Sequence, residues 1–179
     1  MKYLIYFIYF ILFFTLSCSS KRQKYFSEFK QDVNPAIFDK FPLTEKEICE
    51  NDELLLLFPA GIEAINYCGL RLVKRISSES LENELKDLSI RYKRVGIDND
   101  QVNLKLLMDN NSIVNNNILD TYFVSKDYLK NINTAFLINS KKGNYTKLPV
   151  SSDNLSHGYY SMILIDTVNL KKIFLIKIW

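Results

Sequence analysis

Residues 159–179 read YYSMILIDTVNLKKIFLIKIW. Two apolar runs flank a polar connection, Asp166-Thr167-Val168-Asn169, and both are rich in the β-branched and aromatic residues that suit a pleated surface. Side chains alternate along a strand, so Phe174, Ile176 and Ile178 share one face, and Ile173, Leu175, Lys177 and Trp179 share the other. Both faces are largely apolar. A strand that is apolar on both sides must be covered on both sides, which makes one or both of these strands central to a sheet.

Working upstream, NTAFLINSKKGNYTKLP (133–149) reads as a strand entering a turn at Lys142-Gly143-Asn144. ELLLLFP (53–59) is a short apolar run closed by a proline, as a buried strand is. In INYCGLRLVKRIS (65–77) Cys68, Leu70 and Leu72 fall on one face, with Arg71 and Lys74 interspersed, and a strand is expected. QVNLKLLM (101–108) reads as a strand before the turn DNNS, and ILDTYFVS (118–125) as a further extended piece.

The clearest helix is SSESLENELKDLSIRYKR (77–94), where Leu81, Leu85, Leu88 and Tyr92 recur at helical spacing. Ser78 or Ser80 can cap its start, where Glu79 and Glu82 suit the dipole. Arg91, Lys93 and Arg94 suit its end, and Gly96 can stop it. A second, shorter amphipathic helix is expected over 24–32, ended by Asn34-Pro35. In the connector FDKFPLTEKEICEND (38–52), Thr44 and Glu47 have capping-box spacing for a single helical turn. No internal repeat appears. Strand, strand, helix and then several strands predicts an α+β fold, with an antiparallel sheet and at least one amphipathic helix packed on one face.

The chain has 179 residues, 47% apolar and 24% charged, which suits one folded domain with a proper core. The N-terminal stretch MKYLIYFIYFILFFTLSC has the parts of a secretory signal: Lys2 as the charged region, then an apolar run from Tyr3 to Leu16. That run is shorter than the roughly 20 residues a membrane-spanning helix needs. The formal charge of +3 falls by one, to +2, with Lys2. So weak a surplus does not imply nucleic-acid binding, which needs a clustered basic face, and no nucleic-acid partner is expected. The expected division is a signal over 1–17, a partly helical tether over 18–35, and a single α+β domain over 36–179.

Leu16-Ser17-Cys18 puts a small residue directly before a cysteine, with Thr15 where leucine is usual. This resembles a bacterial lipobox in the relaxed form of the Bacteroidota, in which the Cys18 sulfur receives diacylglycerol and the chain is cut before it. The C-terminal part is similar to small lipoproteins of the same group, through HGYYSMILID, KKIFLIKIW and the upstream KKGNYTKLP. The resemblance covers about the last third of the chain and the signal. It implies a compartment and a fold type and carries no catalytic residue. In such lipoproteins an acidic run after the cysteine resembles a surface-export signal; Lys21 and Arg22 stand there instead. The expected location is therefore the periplasmic side of the bacterial outer membrane, which Ser19 favours. Two or more acyl chains, palmitate among them, anchor firmly where one does not. The basic residues after the cysteine suit anionic headgroups.

Cys49 and Cys68 remain. In an oxidising compartment they can form a disulfide, closing a loop of about 20 residues for about 3 kcal/mol, or stay as two small buried thiols. Neither has a partner at zinc-ligand spacing. The only histidine is His157, which rules out two-histidine zinc motifs. As a catalytic base it would draw on Ser156 or Ser161 as nucleophile and Asp153 or Asp166 as orienter, with no G-x-S-x-G elbow present. A loop or structural role for His157 is the stronger expectation. Asp98-Asn99-Asp100 begins like a calcium loop, but Val102 and Asn103 occupy positions that need a ligand and a glycine, so a turn is expected. The pairs Glu45/Glu47 and Glu82/Glu84 read as solvated, and Tyr145, Tyr159 and Tyr160 as strand packing rather than a binding surface. No metal or cofactor is implied. The expected protein is a lipid-anchored, non-catalytic envelope protein, whose partners are the membrane and another envelope protein. A periplasmic hydrolase using His157 and an immunity- or inhibitor-like lipoprotein are the alternatives.

Overall fold

In the computed structural model, residues 21–58, 68–95, 97–98, 101–102, 131–143, 145 and 158–178 are described. Two helices are present among them, α1 (Lys21–Asp32) and α2 (Ser78–Arg91). The strands are β1 (Glu53–Leu57), β2 (Cys68–Arg75), β3 (Lys93–Val95), β4 (Ile97–Asp98), β5 (Gln101–Val102), β6 (Ile132–Lys142), β7 (Gly158–Asp166) and β8 (Lys171–Ile178). Six of them form one sheet in the order β1-β2-β8-β7-β6-β3, with every neighbouring pair antiparallel. The fold is α+β, as the sequence predicts.

The two strands of 159–179 take the two central places, and alternation explains why. Cys68, Leu70, Leu72, Tyr159, Ile163, Ile165, Phe174, Ile176 and Ile178 line one face of the sheet and join a single core with the helices. Val73, Ala135, Tyr160, Met162, Leu164, Ile173 and Leu175 make a separate cluster on the other. Every residue of β7 is buried. Burying each of the larger aliphatic side chains stabilises by about 1.5–3 kcal/mol, so this hairpin carries much of the core. Its connection is held by Asp166, whose Oδ1 accepts the backbone N–H groups of Val168 (3.0 Å) and Asn169 (2.8 Å). Leu170 closes the turn at φ 53°, a left-handed conformation that a β-carbon disfavours.

On the first face α2 packs Leu81, Leu85, Leu88 and Tyr92, the four residues its spacing selects. Its cap is Ser77 rather than Ser78 or Ser80: Ser77 is extended (φ −80°, ψ 152°), and its hydroxyl accepts the Ser80 N–H. The helix also ends before Gly96. Tyr92 is already extended (φ −132°, ψ 151°), and Lys93 and Arg94 leave the helix to pair with Leu137 and Phe136 of β6. A sheet edge outcompetes one more helical turn there.

The larger correction concerns 18–35. From Lys21 onward this stretch is no tether. Phe26, Phe29 and Val33, at i, i+3 and i+7, are fully buried and belong to the main core. The helix is therefore part of the domain, whose boundary lies well before residue 36. A 3-10 turn (Pro35–Ile37) follows, capped by Asn34, whose Oδ1 accepts the Ala36 N–H at 3.0 Å. The chain then crosses the sheet through Phe38 and Phe41. Edge-to-face contacts run from Phe26 to Phe38 (5.9 Å), to Phe41 (6.0 Å) and to Phe174 on β8 (6.0 Å).

The expected strand at 101–108 is described only as Gln101–Val102, paired with Ile97–Asp98 in a small hairpin. Asn99 and Asp100, of the stretch expected to turn, lie outside the described residues. The expected extended piece at 118–125 lies outside the described residues.

Candidate functional site

The two residues singled out most sharply, Cys18 and His157, lie outside the described residues, as do Ser156 and Asp153. The neighbours proposed for His157 are placed, and they do not suit it. Ser161 is fully buried on the helix-covered face of β7, its hydroxyl without a hydrogen-bond partner. A nucleophile must meet substrate, and this one faces the core. Asp166 is 2% exposed and spends both carboxylate oxygens on the β7–β8 turn, including the Asn169 side-chain amide at 2.7 Å. It also ends the strand that Gly158 begins, about 26 Å away at strand rise. A hydrolase built from these two groups is not available.

Cys49 and Cys68 do not form the disulfide their number allows. Both are free thiols, Cys49 exposed and Cys68 buried. Cys68 sits in β2 under the helix layer, where burial, with a smaller contribution from Asp32, pushes its thiol up to about 12. The two-buried-thiols alternative fails as well, because Cys49 lies on the connector, held outward by a polar knot. In that knot the Asp52 carboxylate accepts the Cys49 N–H at 2.8 Å and pairs with Lys74 at 3.5 Å, while Lys74 also donates to the Glu47 carbonyl.

Of the candidate carboxylates, Glu47 closes the expected capping box. It accepts the Thr44 N–H (2.6 Å) and hydroxyl (2.8 Å), and these bonds hold its carboxyl below the usual glutamate range. Glu84 bonds Lys172 at 2.5 Å and ties α2 to β8, a cross-link no sequence spacing reveals. The tyrosines pack. Tyr145 lies edge-on to Tyr159 at 4.5 Å, while Tyr159 and Tyr160 are buried. The Tyr159 hydroxyl accepts from Asn139 (2.7 Å) and donates to the Ala36 carbonyl (3.5 Å). Burial first, then Tyr145 and Asp39, push it up to about 12. The bulge between Leu137 and Asn139 in β6 is what turns Asn139 towards that hydroxyl.

Among the described residues no cluster of three His, Cys, Asp or Glu could hold a metal, and no helix is long and apolar enough to cross a membrane. What the surface offers is the outer side of α1. A shallow polar hollow of about 500 Å³ lies between α1 and the 3-10 turn Glu45–Glu47, bordered by Gln23, Lys24, Glu28, Glu45 and Lys46. Its ion pairs, Lys24–Glu28 (3.9 Å) and Lys30–Glu45 (3.5 Å), are solvent-exposed and each contributes under about 1 kcal/mol. Beside it stand exposed Lys21, Lys24 and Tyr25, and the first turn of α1 holds no acidic residue.

No family model, curated protein or solved structure matches the chain.

Proposed function

We propose that this is an envelope lipoprotein: an α+β domain anchored through lipid on Cys18, facing the periplasm from the outer membrane and binding another envelope protein rather than performing catalysis. One observation carries the reading. A 14-residue apolar run closes on Leu16-Ser17-Cys18, and a helix with core phenylalanines begins three residues later, at Lys21. Signal, modifiable cysteine and domain thus follow one another without a gap. Of the other two cysteines, Cys49 belongs to the connector and Cys68 to the core.

The test is metabolic labelling with radioactive palmitate in a bacterial host. Label enters the full chain and is lost in Cys18→Ala, while Cys49→Ala keeps it. Label that fails to enter, or that survives Cys18→Ala, removes the anchor. A pull-down from detergent-solubilised membranes then identifies the protein partner.

A further inference from the structure

We infer that the anchored domain does not swing on a leash but is held against the bilayer, with the first turn of α1 and the β7–β8 turn towards the lipid headgroups. This rests on lipidation of Cys18, as proposed above, and adds the orientation and the surface that meets the lipid.

Chain length comes first. Three peptide steps separate Cys18 from Lys21, so even fully extended they span about 10 Å. That is about one Debye length at physiological salt, so charges at the end of the span still feel the membrane surface. The span ends on a rigid body rather than on more leash. Phe26, Phe29 and Val33 are fully buried; Gln23 Nε2 donates to the Ile48 carbonyl at 3.0 Å, and the Asn34 N–H to the Tyr145 carbonyl at 2.9 Å. Both ends of α1 are therefore fastened to the domain.

The direction of α1 follows from the same bonds. Its end at Asn34 meets Tyr145, which packs on Tyr159 at the start of β7. Its beginning meets Ile48, beside the Glu47 carbonyl that Lys74 reaches from β2, and Lys74 is in register with Lys172 next to the β7–β8 turn. The first turn of α1 and the β7–β8 turn thus lie at one end of the sheet. That end presents exposed Lys21, Tyr25 at 44% exposure and Val168, an apolar side chain 70% exposed at the turn; exposed Glu53 and Glu79 stand there too and Lys24 pairs with Glu28, so the short span rather than net charge sets the orientation. Tyrosine prefers the interface. The opposite end carries Lys141 and Gly143, far from the anchor.

The test uses the full chain in a Cys49→Ser background, purified as the lipidated protein and reconstituted into vesicles of phosphatidylcholine with one quarter phosphatidylglycerol. Single cysteines at Lys24→Cys or Lys141→Cys carry bimane; Cys68 is buried and stays unlabelled. Headgroup-nitroxide lipid is the quencher. Position 24 is expected to be quenched several-fold more than position 141. Ten Gly/Ser residues inserted between Ser20 and Lys21 should narrow that difference in pure phosphatidylcholine vesicles. Equal quenching at the two positions with the native leash, or stronger quenching at 141, overturns the orientation while leaving the anchor intact. Failure of the lipidated protein to float with vesicles, or palmitate label that survives Cys18→Ala, removes the anchor and the orientation with it.

Discussion

Phe29→Ala separates a tether from a core helix. Phe29 is fully buried and meets Phe38 edge-on at 6.3 Å and Phe58 at 5.8 Å. Truncating a buried phenylalanine costs about 3–5 kcal/mol, of which each aromatic pair contributes about 0.5–1.5. Phe58 is 37% exposed, so its pair lies at the weak end and the expected loss is about 3–4 kcal/mol. For a domain of this size the urea slope is about 2 kcal/mol per molar, so the unfolding midpoint should fall by about 1.5–2 M with the slope unchanged. Tyr25→Ala, on the same helix but exposed, is the internal control and should move the midpoint by no more than about 0.25 M. Circular dichroism in urea reads both. A Phe29→Ala midpoint indistinguishable from the control would mean that α1 does not dock and that nothing rigid begins at Lys21.

Four further outcomes follow from the same contacts. Glu84→Gln should cost about 1–2 kcal/mol, because it leaves the part-buried Lys172 ammonium without its carboxylate, and a double-mutant cycle with Lys172→Met should give a coupling near 1 kcal/mol. A thiol reagent should find Cys49 in the native protein and Cys68 only after unfolding, whereas no free thiol at either position in denaturant would restore the disulfide. The raised thiol of Cys68 stays protonated in the fold while the unfolded chain ionises near pH 8.5, so its stabilising contribution is complete below that pH and lost as pH rises towards about 12; thermal melts of Cys68→Ala should decline less steeply across that window. Glu47 works in the opposite sense: its lowered carboxyl stabilises above the usual glutamate range, and its advantage over Glu47→Gln, under about 1 kcal/mol at so exposed a site, should vanish as the pH falls through its folded value.

Period and local chemistry made much of this fold legible. The two-faced apolar runs of 159–179 place β7 and β8 at the centre of the sheet, since a strand apolar on both sides has nowhere else to go. The leucine spacing of 81–92 selects the face of α2, and Thr44 with Glu47 marks a capped turn. Ser77 was hidden because three serines within four residues are equivalent until the backbone chooses which one is extended.

Long-range partnership is what the linear chain withholds. Phe26 and Phe29 look like the greasy side of a free helix until Phe38 of the connector meets both and, through Phe41, joins them to Phe174 on β8. Ser161 and Asp166 look like catalytic neighbours of His157 until strand rise carries Asp166 to the far end of β7 and pleating turns Ser161 into the core. The sequence by itself determined the strand and helix periods, the central hairpin and the lipobox-like Cys18, because each is written within a few adjacent residues. Only the tertiary structure decided that the supposed tether is core, that Cys49 and Cys68 stand apart, and at which end of the sheet α1 begins. Those depend on segments 15 to 150 residues apart, brought together by buried area rather than by spacing.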